Sequence, residues 1–241
     1  MGPPTRPLPH AAAHAFVADL AAPALDGDDL HHLERVLRLQ PGQAVTVSDG
    51  RGGWRSCTWG PGGRLDPAGP TEVEAAPDPA VTVAFALTKG ERPEWVVQKL
   101  TELGVDRIVP FRAFRSVVRW DDGKATAQAE RWRRVARQAS MQSRRARLPQ
   151  VTAVTGFADV VAGDRPRVAL ASQGGGPPSL DRPVVLVGPE GGWDEGELAC
   201  GLPLVGFGPS VLRAETAAVA AGVILCSLRD GMVRQIGVDQ R

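Results

Sequence analysis

The sequence predicts an α/β protein, a domain built on a mostly parallel sheet and preceded by a small β-rich unit. Three observations carry that prediction. From Val81 onward, short apolar runs rich in β-branched residues alternate with helical patterns, the order expected where strands are joined by helical crossovers. Before that point the clearest runs, 44–48 and 53–58, are short and separated by the turn Asp49-Gly50-Arg51-Gly52-Gly53. Between the two patterns lies a stretch dense in Gly and Pro, Gly60 to Pro79, which places a boundary between a domain of residues 1–76 and one of residues 77–241.

Taken in order, the chain opens on MGPPTRPLPHAAAHAFVADL, which lacks the uninterrupted apolar region of a signal peptide. Residues 31–38 predict a short helix with Leu33, Val36 and Leu37 on one face, closed by Pro41-Gly42. His31 and His32 are adjacent, so on a helix they point in different directions and do not form a metal pair; no metal is expected. In the second domain, residues 81–87 predict a buried strand, 93–103 a helix with Pro93 in its first turn, and 105–111 a further strand. Residues 168–171, 184–187 and 204–207 continue the strands, and 215–228 form the last long helix.

Charge is segregated even though the net charge of the 241 residues is only +1. From Arg112 to Arg147 there are eleven basic residues against three acidic ones, a local net of +8, which favours a polyanion such as RNA or DNA. Trp132, Val135 and Ala139 can face the core of that segment while its arginines line the other side. Cys57, Cys200 and Cys226 are few, odd in number and widely spaced, so a disulfide framework is not expected and a reducing cytoplasm is. No apolar run reaches the roughly 20 residues that cross a bilayer.

The glycine-rich exits of two late strands predict the site. Val184 to Val187 runs into Gly188-Pro189-Glu190-Gly191-Gly192, and Leu204 to Phe207 into a second turn with Gly206 and Gly208. Glycines at the carboxyl end of a buried strand let the backbone turn sharply and approach a ligand closely. Asp194 suits the N-cap of a short helix, and Leu212-Arg213-Ala214-Glu215-Thr216 leads into the final helix. All four histidines lie in the first domain, which leaves the second without a hydrolytic triad or a histidine metal site. A phosphate loop of the G-x-x-x-x-G-K-[ST] type is absent, and Gly206-x-Gly208 lacks the third glycine of a dinucleotide fingerprint. What remains suits an activated bound cofactor assisted by an arginine and a carboxylate.

Gly188-Pro189-Glu190-Gly191-Gly192 and Leu212-Arg213-x-Glu215-Thr216, with Gln98-Lys99-x-x-Glu102-Leu103-Gly104 and Gln142-x-x-Arg145 upstream, resemble the RsmE family of 16S ribosomal RNA uridine N3-methyltransferases in the SPOUT superfamily. His32-Leu33 and Val36-Leu37-Arg38 are similar to that family's N-terminal PUA-like domain. The chain departs from the family pattern at Trp193, Phe207, Ser210 and Ala214. The resemblance implies a trefoil knot, a homodimer, S-adenosylmethionine as cofactor and 16S rRNA of the small ribosomal subunit as partner. It places the cofactor against Leu170, Ala171, Leu186, Gly188, Glu190, Gly191, Gly192, Phe207, Gly208, Pro209, Val211 and Leu212. RNA contacts are expected from Arg38, Lys89, Arg115, Arg134, Arg137, Gln142 and Arg145, and catalysis from Arg213 and Glu215. Arg213 would stabilise charge on a uracil carbonyl, and Glu215 would either take the N3 proton or hold Arg213 in place. The alternatives are a SPOUT enzyme acting on another RNA such as tRNA, and a non-catalytic RNA-binding assembly factor.

Overall fold

The computed structural model describes residues 8–234, which form two compact units. One comprises residues 8–76 together with Arg137–Leu148; the other comprises Pro77–Ala136 and residues 149–234.

The first unit is a five-stranded sheet of β1 (Ala13–Phe16), β2 (Ala44–Ser48), β3 (Gly53–Trp59), β4 (Leu65–Pro67) and β5 (Glu72–Val73). β1 and β2 are parallel and the remaining pairs antiparallel. The β2–β3 turn is set by Asp49, whose carboxylate accepts from the amides of Arg51 at 2.6 Å and Gly53 at 3.0 Å. Ala15, Leu33, Val45, Val47, Cys57 and Trp59 fill the core. The helix here begins earlier than the sequence predicts: α1 (Gly27–His31) is capped by the Asp26 side chain and continues as a π-helical turn over His32–Val36. A π turn closes i to i+5 bonds, as in Leu37 N–H to His32 O at 3.0 Å, so the three-and-four spacing of apolar residues no longer keeps one face. Leu33 is therefore buried, whereas Val36 is 60% and Leu37 48% exposed, a correction to the predicted apolar face.

In the second unit all seven strands are parallel. Their order is β12 (Leu204–Val205), β10 (Val168–Gly176), β11 (Val184–Val187), β6 (Thr82–Ala86), β7 (Arg107–Arg112) and β8 (Gln150–Val151), with β9 (Thr155–Gly156) also paired to β7. Parallel neighbours need crossovers, and α2 (Arg92–Glu102), α3 (Asp122–Ser143), α4 (Phe157–Gly163) and α5 (Glu195–Leu198) serve as such; α6 (Ala214–Arg229) follows the last strand.

Alternate residues of each strand feed two cores, which is why the strands read as continuous apolar runs. Val83, Phe85, Ile108 and Val185 join Val97 and Leu100 of α2 and Ala218 and Leu225 of α6. Ala84, Val109, Leu170 and Leu186 join Val161 of α4, Trp193 and Leu202 on the opposite face. Helix α3 sends Trp132 and Ala136 into the first of these cores, as the sequence pattern predicts for Trp132.

Candidate functional site

The carboxyl ends of β10, β11 and β12 meet around a cavity of about 320 Å³, inside the roughly 300–1,000 Å³ of small-molecule sites. Glycines make the meeting possible. A Cβ on Gly175 would lie 2.5 Å from the backbone carbon of Val205, and one on Gly206 would lie 2.8 Å from the carbonyl oxygen of Gly175. These are backbone contacts, which cannot swing aside as a side chain can, and they bring the end of β10 against β12 with Gly206 N–H donating to Gly176 O at 2.8 Å.

The loop after β11 is a tight turn in which Gly192, at φ +71, donates its amide to Pro189 O at 2.9 Å. It ends on Trp193, whose indole N–H donates to Ala171 O at 2.8 Å and whose ring stacks near Phe111, 6.2 Å between centroids. The ring also lies 3.0 Å from where a Cβ of Gly188 would stand, so Gly188 is needed for the side chain beside it as much as for the turn. Asp194 caps α5, and buried Glu197 closes the capping box while accepting from Phe114 N–H at 2.9 Å.

Of the residues the sequence assigns to the cofactor, Ala171, Gly188, Glu190, Gly192, Phe207, Gly208, Val211 and Leu212 line this cavity. Leu170 and Leu186 do not; both are wholly buried in the sheet. Strand parity explains Leu186, because its neighbour Val187 points to the other face and supplies the wall. Gly191 and Pro209 lie in the loops but off the wall. Ser172 and Gln173 also line the cavity, on the extension of β10 that follows Ala171; the Gln173 amide donates to Pro209 O at 3.2 Å. Sequence reasoning missed Ala217, one turn into α6, which no loop signal marks.

Arg213 is the N-cap residue of α6 and is exposed, with no side-chain cap bond. Glu215 sits in the first turn with a side chain only 14% exposed, and its Oε2 is buried without a hydrogen-bond partner among the described residues. The cation nearest to it was not anticipated. Arg92, at the start of α2, donates from Nη1 to Glu190 Oε1 at 2.8 Å, and its Nε stands 3.7 Å from Glu215 Oε1. Arg92 thus links the loop after β11 to the first turn of α6.

The basic segment is less free than its charge count implies. Arg131 pairs with Glu94 at 2.6 Å, Arg133 donates to Val151 O at 3.0 Å, and Arg144 and Arg147 donate to the backbone oxygens of Ala11 and Glu74. Arg137, half-buried, forks onto Asp29 at 2.5 and 2.8 Å, and that bond holds its guanidinium above the usual arginine pKa. Arg115 reaches Gly191 O at 3.3 Å and lies 3.9 Å from Asp194, at the cavity loop. Lys89, Arg134 and Gln142 are exposed, as is Arg38, which holds a left-handed backbone at φ +55. Arg145 is partly buried and gives its carbonyl oxygen to the His14 ring at 3.1 Å. Among the described residues no group of three or more His, Cys, Asp or Glu could hold a metal, and no helix is long and apolar enough to cross a membrane.

Comparison with known proteins agrees with this geometry. Residues 76–225 match the RNA methyltransferase domain family, and residues 25–58 match the RNA methyltransferase PUA domain. The chain is 35% identical over 227 residues to the ribosomal RNA small subunit methyltransferase E of Mycobacterium bovis, covering 83% of this chain and 84% of the relative. It is 31% identical to the Bacillus subtilis protein of the same name, over 82% and 87%. The crystal structure of a ribosomal RNA small subunit methyltransferase E from Neisseria gonorrhoeae bound to S-adenosyl methionine is similar at a TM-score of 0.73 and 26% identity, covering 90% of this chain and 97% of that one.

Proposed function

The chain belongs to the RNA methyltransferase family that includes the ribosomal RNA small subunit methyltransferases E, and from that premise we propose that it methylates N3 of one uridine in 16S rRNA with S-adenosylmethionine as donor. The observation that carries the reading is the cavity at the ends of β10, β11 and β12, with Arg213 and Glu215 at the start of the helix that closes it. Its walls suit the cofactor. Phe207, Leu212 and Val187 offer apolar faces to an adenine, the glycine turns offer backbone groups, and Glu190 offers a carboxylate to a cationic group. When bound, the cofactor supplies an activated methyl group.

The protein's own residues then have one task, since the N3 of uracil carries a proton and is a poor nucleophile until it leaves. Exposed Arg213 can approach a uracil carbonyl oxygen and stabilise the charge that develops there. The unpaired Oε2 of Glu215 is an acceptor for the N3 proton. RNA contacts belong to Arg38, Lys89, Arg115, Arg134, Gln142 and Arg145, with residues 1–76 as the PUA-like RNA-binding domain and residues 77–241 as the catalytic one. Arg137 has its fork on Asp29 and supports that surface from within. Homodimerisation, the trefoil threading of the catalytic domain and a cytoplasmic location form part of the same reading.

The test is to treat small ribosomal subunits from a strain lacking this protein with the purified enzyme and labelled cofactor, then map the product. N3-methyluridine at a single position of 16S rRNA is expected; unlabelled 16S rRNA beside label in tRNA supplied to the same reaction would overturn the assignment. Arg213→Ala should lower the transfer rate by about 100-fold, the scale of one lost preorganised contact, with cofactor affinity by calorimetry changed only a few fold.

A further inference from the structure

Glu215 is in an unusual position for a carboxylate. One oxygen is buried without a donor among the described residues, and the other has only the Arg92 guanidinium, at 3.7 Å. That distance is too long for a hydrogen bond and short enough for strong charge attraction. A buried, unsatisfied polar atom is costly, and it persists where a ligand will complete it. Arg92 is itself held from the other side by the 2.8 Å bond to Glu190, a residue of the cavity wall. A planar guanidinium can serve two carboxylates at once, which an ammonium cannot do with the same geometry.

We propose that Arg92 is a positioning residue for methyl transfer: fixed on Glu190, it holds Oε1 of Glu215 by charge, so that Oε2 is left as the acceptor for the N–H of the target base. This rests on the reading that Glu215 acts on the base. It adds a residue from α2, outside both glycine loops, and assigns different tasks to the two oxygens of one carboxylate. No covalent change occurs at Arg92. The proton passes from the base to Oε2 or is held there while it leaves.

The decisive experiment is a double-mutant cycle in the full-length protein, with turnover measured as methyl label entering total RNA, ribosomal and transfer, at saturating cofactor. Arg92→Gln should lower kcat by about 100-fold, the cost of misplacing a reacting group by roughly an ångström. In a Glu215→Gln background the same change should lower kcat by less than about threefold, because the carboxylate it positions is gone. Arg92→Lys should recover about tenfold over Arg92→Gln by restoring the charge without the fork. Equal losses in both backgrounds would overturn the proposal, as would a fall in cofactor affinity as large as the fall in kcat, which would make Arg92 a clamp for the cofactor loop only. Should Arg92→Gln melt early, the cycle run with Arg92→Lys and Glu215→Gln decides on the same criterion. Label is counted whichever nucleotide receives it, so a different target would overturn the functional reading and leave this comparison standing.

Discussion

His14, on β1, is held without its proton by the fold. Burial lowers its pKa from 6.5 to about 4, and the nearby Arg144 charge acts in the same direction, against hydrogen bonds to Arg145 and Thr46 that pull the other way. The unfolded imidazole takes a proton as the pH falls below about 6.5, and the folded one does so only near 4. The unfolded state therefore binds more protons across that window, and stability present above it is lost on the way down. At 1.36 kcal/mol per unit, the loss attributable to this residue by the bottom of the window is roughly 3 kcal/mol. Denaturant midpoints measured from neutral pH to about pH 4 should fall less steeply for His14→Gln than for the natural protein. Equal slopes would show that other groups carry the acid sensitivity. At this same scale the sequence was informative about loops and less so about facing. Apolar character marks Leu186 and Val187 alike, but only the pairing register decides which of two adjacent side chains meets the cavity.

Helix α3 shows how a charge count misleads at the level of an element. Its arginines look alike along the chain, yet Arg134 is exposed and Arg137 is bound to Asp29. Arg134→Ala should leave stability within about 0.5 kcal/mol and reduce the slope of log affinity for RNA against log salt by roughly 0.7 to 0.9. Arg137→Ala should instead destabilise by roughly 2–3 kcal/mol, the range for hydrogen bonds to a charged partner, because Asp29 stays buried without its fork. Calorimetry and salt-dependent binding on the two variants separate the roles, and a reversed pattern would mean that Arg137 is the one that meets the phosphates. The sequence told helix from loop here through Trp132, Val135 and Ala139, of which Trp132 and Ala139 are buried. It could not tell a solvated arginine from a structural one, because the partners, Asp26, Asp29 and Glu94, lie far away in sequence.

For the whole molecule, the sharpest consequence is that residues 8–76 pack with Arg137–Leu148. A fragment ending at residue 76 would lose the Arg137 fork on Asp29, the Arg145 carbonyl on His14 and the Arg147 contact with Glu74. Such a fragment should show no cooperative thermal transition by circular dichroism, and adding residues 137–148 through a flexible linker should restore one. A sharp transition in the short fragment would show that those contacts are dispensable. The parallel sheet was legible at β6, β7, β10, β11 and β12 because burial on both faces leaves a continuous apolar signature, whereas the two-residue strands β8 and β9 and the short helix α4 leave none. Arg92 was not, since its partners Glu190 and Glu215 come from the other end of the domain.

The backbone contact between Gly175 and the β12 exit has a consequence for how such a chain can drift. Any one-base change in a glycine codon that alters the amino acid adds a Cβ, and at Gly175 and Gly206 that carbon lands on backbone atoms less than 3 Å away. Gly27 and Gly163, where the same carbon meets nothing within 4 Å, are open to alanine. The genetic code thus offers the cavity crossing no near neighbours to explore, and the loops around it can vary in sequence while the point where they cross stays glycine.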